Sequence, residues 1–332
     1  MKPLSPLLFG TLLLLFCPPI SAQAQTEERP SADQSPATTQ IIVPVPQRHG
    51  QAPAKAALGK QLFNEPLLSP DRSASCATCH PVDSGGAKNR RSLPETQRRR
   101  VKLDIPSVIN SRFNLSQSWD GRAPDLETQV DECLQPESQT AAGWPAIERR
   151  LRDNPEYLRA FHRVYGTEPR AEQVRDALAS YQRTLISTNS PFDRWLRGEN
   201  PHLDANAVAG YHLFLDYGCA ACHNGINVGG NLYSYLGAYG DSFEGRGRKR
   251  PSDLGRFNVT GNPDDRFVFK VPGLRMASAS APYFHDGSAA TLNEAIETMT
   301  FYQLGRKISA EDVRMLVAFI VSLAGEIPRD GQ

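Results

Sequence analysis

Cysteine and histidine stand together twice in this chain, as Cys76-Ala77-Thr78-Cys79-His80 and as Cys219-Ala220-Ala221-Cys222-His223. Two thiols three positions apart can form half of a zinc site, cycle as a redox dithiol, or bind the two vinyl groups of one porphyrin as thioethers. A histidine directly after the second thiol selects the third chemistry. Its imidazole falls beneath the porphyrin, where it is a proximal ligand for iron. Two complete copies therefore read as two covalently attached haem c groups, with His80 and His223 as iron ligands.

The N-terminus is written for export. Lys2 precedes an apolar run from Leu7 to Phe16, then Pro18-Pro19, then Ala22-Gln23-Ala24. That is a signal peptide over residues 1–24 with a small-residue cleavage site, and its apolar run is too short to span a bilayer. Cys17 would suit a lipoprotein only if a small residue preceded it, and Phe16 is bulky. Covalent haem and a cleaved signal together point to a bacterial periplasm. The 37 basic residues against 36 acidic ones give no support to a polyanion-binding role, so no nucleic-acid partner is expected. With Cys17 removed and four thiols on haem, Cys133 is left alone, and a lone cysteine reads first as a small buried hydrophobe.

Residues 25–51, rich in Thr, Ser, Pro, Glu and Gln, read as a flexible linker. Order is expected from Ala54, with an N-terminal haem domain over 52–190 and a C-terminal haem domain over 191–332. Apolar residues recur at helical spacing in 144–153, 155–165, 171–185 and 204–215. The last helix opens on Ser309 with Asp312 three residues on, carries Val313, Leu316, Val317, Ile320 and Val321 on one face, and is expected to stop at Gly325. Strand candidates are short, such as 266–269, and 225–263 reads as a long structured loop. The expected fold is mainly α, two cytochrome c-like domains with one haem each.

Short strings in the right order carry a family resemblance. They are Leu58-Gly59-Lys60, Leu68-Ser69, Trp119-Asp120-Gly121-Arg122, His223-Asn224-Gly225, Phe269-Lys270-Val271-Pro272, Leu274-Arg275, Tyr283-Phe284-His285-Asp286-Gly287 and Glu294 to Met299. The chain resembles the bacterial dihaem cytochrome c peroxidase/MauG superfamily over nearly all of its ordered length. The resemblance implies a C-terminal haem of high potential that receives electrons and an N-terminal haem that meets peroxide. It places the axial thioether of the C-terminal iron on Met299, where MauG-type relatives carry Tyr. Met315 and Met276 are the competitors, and both read as packing residues.

The N-terminal haem departs from the family. Peroxidases of this kind bring a distal His to that iron from the loop before Trp-Asp-Gly-Arg, yet no His occurs between His80 and His162. The matching loop, 92–102, holds Glu95, Thr96 and Arg98-Arg99-Arg100, so an open or water-filled sixth site is expected. His162 reads as a surface or core residue of a helix. The resemblance implies a distal Gln at Gln129 and a distal Glu at Glu137 if one residue is gapped; an ungapped alignment puts Gln139 there. A carboxylate can shuttle a proton and an amide cannot, which selects Glu137. Cys133 takes the place of a pocket-lining Pro. Trp119 is implied between the haems as an electron-transfer aid, and a calcium ion is implied at Asp104, Ser280 and Pro282.

The expected function is reduction of hydrogen peroxide to water, with electrons from a small cytochrome c or cupredoxin, and a homodimer is the oligomer considered. The alternatives are a MauG-like oxidase acting on residues of a partner protein, and an electron-transfer cytochrome without catalysis or a haem sensor.

Overall fold

The computed structural model describes residues 41–47, 53–135, 142–199, 202–243 and 249–327. The signal peptide, most of the expected linker, Glu137 and Gln139 lie outside them. The first half contributes α1 (Pro53–Phe63), α2 (Cys76–Cys79), α3 (Glu95–Arg100), α4 (Leu126–Leu134), α5 (Trp144–Arg152), α6 (Pro155–Tyr165) and α7 (Ala171–Thr184). The second contributes α8 (Pro191–Leu196), α9 (Ala205–Asp216), α10 (Phe257–Thr260), α11 (Leu292–Thr298) and α12 (Ala310–Ser322). Among the described residues an antiparallel ribbon pairs β1 (Tyr233–Tyr235) with β2 (Val268–Lys270), Tyr233 facing Lys270. No helix among the described residues is long and apolar enough to cross a membrane.

Local signals explain many of the boundaries. The Asn154 side chain accepts from the N–H of Glu156, Pro155 opens α6, and left-handed Gly166 closes it. Ser309 Oγ accepts from the Asp312 N–H at 3.1 Å and caps α12. That helix ends at Ser322, three residues before Gly325.

Two separate apolar cores form, and each is built on one close helix crossing. In the first, α1 crosses α7 so tightly that a Cβ on Gly59 would lie 1.9 Å from the Ala177 carbonyl oxygen. One turn on, Phe63 meets Tyr181 edge to face, with ring centroids 5.2 Å apart. In the second, α9 crosses α12 with the same 1.9 Å approach between Gly210 and the Met315 carbonyl, and Phe214 packs on Phe319 at 5.0 Å. Gly59, Phe63, Ala177 and Tyr181 thus correspond to Gly210, Phe214, Met315 and Phe319 at identical four-residue spacings. Gly210→Ala is expected to push the α9 and α12 backbones apart and cost about 1–3 kcal/mol, as overpacking of a tight core does. Thermal unfolding that matches the parent protein would refute the close approach.

Residues 41–47 correct the expectation of a linker running unbroken to residue 51. Ile42 and Val45 are each 1% exposed, and Ile42 joins the second core. Asp193 of α8 and Arg275, buried as an ion pair at 2.9 Å, hold this segment. Val45 N–H donates to Asp193 Oδ2 at 3.0 Å, and Arg275 donates to the Val43 carbonyl at 2.9 Å. Residues 104–123 run between the two cores. Asn110 bonds Ser187 through both its amide oxygen and its amide nitrogen, and Leu115 N–H donates to the Gly230 carbonyl.

Candidate haem sites and the wall between them

α2 carries the first attachment motif. Ser75 and Thr78 form a reciprocal cap at its start, which fixes Cys76 and Cys79 one turn apart. His80 closes the turn, and its Nδ1 lies 3.0 Å from the Gly86 carbonyl oxygen. In the second motif His223 Nδ1 faces the Val228 carbonyl at 3.4 Å. A ring whose Nδ1–H is held by a carbonyl presents Nε2 to a metal. Burial lowers the pKa of both rings, that of His223 to about 4, so both imidazoles stay neutral as ligation needs.

The thiols fit thioether formation and not a zinc or redox pair. Burial pushes Cys76 up to about 12 and Cys219 up to about 11, and raises Cys79 as well. Reactive dithiols require the opposite shift. Among the described residues neither Cys pair joins a group of three or more potential ligands within reach of one ion.

A cavity of about 280 Å³ lies at the second motif, bordered by Cys219, Cys222, His223, Trp119 and Met299. α11 widens at its end into a π-helical turn, Met299–Gln303, which begins at that methionine. Met276, expected only to pack, is buried and borders the same cavity; Met315 of α12 does not.

Trp119 stands in the wall of this cavity. Its indole N–H donates to the Asp104 carbonyl at 2.9 Å, and its own carbonyl accepts from the Lys270 N–H at 3.0 Å. The structure brings the expected calcium residues to the same wall, since Asp104, Ser280 and Pro282 all border the cavity. Burial, and after it the nearby negative charge of Asp286, push the Asp104 carboxyl up to about 7. A buried carboxyl with a second, half-buried acid nearby suits a hard cation, which would keep Asp104 ionised. His285 is 2% exposed, contacts Asp253 Oδ1 through Nε2 at 2.8 Å and stacks on Phe269.

At the first motif, α4 brings Gln129 and Cys133 together, with Gln129 Nε2 donating to Cys133 Sγ at 3.0 Å. Cys133, expected buried, is exposed on that helix, yet its thiol lies near enough to Cys76 to add to the burial effect there. The expected loop over 92–102 is largely helix α3, anchored by buried Gln97, whose Nε2 donates to Ser73 Oγ at 3.1 Å. Glu95 on that helix is exposed and paired with Arg99. His162 is exposed on α6. The Lys270 and His285 side chains entered the sequence reading only as parts of matching strings. A charged residue inside Phe-Lys-Val-Pro was the available signal for the first.

Paired attachment motifs on two equivalent crossed-helix cores make this a dihaem c-type cytochrome. A family model described as di-haem cytochrome c peroxidase matches residues 53–201. The cytochrome c peroxidase Ccp of Escherichia coli is 38% identical over 307 residues, 92% of this chain, and the match spans 65% of that relative's length. The cytochrome c551 peroxidase of Pseudomonas aeruginosa is 36% identical over 332 residues, covering 96% of this chain and 92% of that one. The methylamine utilization protein MauG of Methylorubrum extorquens is 33% identical over 299 residues, 86% of this chain and 82% of its own. A crystal structure of a MauG-like protein associated with microbial copper homeostasis shares the fold, with a TM-score of 0.72, 24% identity, and coverage of 88% of this chain and 96% of that one. The chain belongs to the di-haem cytochrome c peroxidase family.

Proposed function

We propose that the protein reduces hydrogen peroxide to water at its N-terminal haem, drawing electrons through its C-terminal haem from a small cytochrome c or cupredoxin. The observation that carries this reading is the shared cavity of His223 and Met299, a donor pair suited to an electron-entry haem, walled by Trp119. Met299 rather than Tyr at this position supports a peroxidase over a MauG-like oxidase. The attached haems supply the redox-active irons. His80 and His223, their Nδ1 atoms tied to backbone carbonyls, would offer Nε2 to those irons. Trp119 links the calcium wall to the second haem cavity and serves electron passage between the two halves. In this reading Glu137 would pass a proton to the leaving oxygen, and Gln129 would orient the substrate. Export through residues 1–24 places the mature protein in the periplasm.

Activation follows from the sixth site of the N-terminal haem. No His lies between His80 and His162, and Glu95 is engaged with Arg99. The fully oxidised protein is therefore expected to contain one high-spin haem and to react with peroxide at once. Spin states by electron paramagnetic resonance and stopped-flow mixing with peroxide test this. Two six-coordinate low-spin haems, reacting only after one-electron reduction, would refute it.

Calcium is the proposed occupant of Asp104, Ser280 and Pro282. Chelation is expected to lower both the melting temperature and turnover, with calcium restoring both. Asp104→Ala should make the protein indifferent to chelator; a variant that still responds would remove Asp104 from the site.

A further inference from the structure

Lys270 ends β2 on the wall that borders Cys219, Cys222 and His223. The residue is 7% exposed. Its main chain is fixed on both sides, by the Trp119 carbonyl and by pairing with Tyr233 across the ribbon. Among the described residues no carboxylate pairs with its Nζ, and burial with no acidic neighbour to offset it lowers the ammonium to about 8. Arg275, deeper in this half, is paired with Asp193, and His285 contacts Asp253.

A buried ammonium without a counter-charge is costly, and Lys270 borders a cavity suited to a cofactor that carries two carboxylates. We propose that Lys270 Nζ donates to a propionate of the C-terminal haem, making Lys270 a positioning residue that holds the edge of that haem beside Trp119. The inference rests on the haem assignment above. A positive charge at the propionate offsets its negative field at the iron and favours the reduced state, so Lys270 raises the potential of the electron-entry haem.

The test compares Lys270→Met and Lys270→Arg in the holoprotein by potentiometric titration, following each haem by its own absorption. The Met variant is expected to lower the potential of the C-terminal haem and leave the N-terminal haem unchanged, and the Arg variant to retain the parent value. A Met variant with the parent potential, or an Arg variant that falls as far as Met, overturns the proposal. Should the Met variant fail to mature, Lys270→Gln replaces it. Resonance Raman of the propionate-bending mode then gives a second readout, expected to shift in Gln and not in Arg; an unshifted mode in Gln also overturns it. Neither readout uses peroxide, so failure of the peroxidase reading and failure of the propionate contact are told apart.

Discussion

Asp193→Ala is expected to cost about 3–5 kcal/mol, the range seen when one partner of a buried ion pair is deleted. Oδ2 accepts from Arg275 at 3.0 Å and from the Val45 N–H, while Oδ1 has only the ion-pair contact to Arg275 at 2.9 Å. Ala would leave a fully buried guanidinium uncompensated and strand a backbone donor. Arg275 has no route to water, because it also donates to the carbonyls of Val43 and Ile226. Urea unfolding monitored by circular dichroism measures the loss, and a change under about 1 kcal/mol would match an exposed pair and not a buried one. Asp193→Asn, which keeps the shape and loses the charge, should fall between the two.

Glu137→Gln is expected to slow peroxide cleavage by about 10²- to 10⁴-fold, the usual loss when acid–base help is removed. Residues flanking the 136–141 stretch are tied to the first haem's half. Gln135 Nε2 donates to Asp131 at 2.7 Å, and Ala142 N–H donates to the Leu68 carbonyl at 3.1 Å. Single-turnover kinetics with saturating peroxide separate this step from electron supply. The competing residue is Gln139. If Gln139→Ala gives the large loss and Glu137→Gln does not, the proton passes elsewhere and the ungapped alignment holds.

The haem motifs were legible because covalent attachment demands a fixed linear spacing, which no tertiary context can alter. Helices α5, α6, α7, α9 and α12 followed their apolar period to within a residue or two, since each presents one face to a core. The segment 41–47 was not legible: its composition is that of a tether, and its order comes from Asp193 and Arg275, far along the chain. The helical character of α3 was hidden too, since a short polar run held by Gln97 and Ser73 has no apolar period to read. The repeat of Gly59 and Phe63 by Gly210 and Phe214 was present in the sequence, yet four-residue spacings between common residues gain meaning only once the crossings are seen.

The Asp193–Arg275 clip also has a consequence in time. A chain made from its N-terminus offers residues 41–47 early, but Val43 meets Arg275 across a separation of 232 residues. Asp193 and Gly225, which also hold the segment, come earlier, but the seat is complete only once Arg275 has emerged. Both Cys-x-x-Cys-His stretches precede Arg275, so they are delivered before the clip can close. Docking of residues 41–47 is then completed late, and a chain truncated before Arg275 carries both attachment sites while lacking the guanidinium that holds Val43.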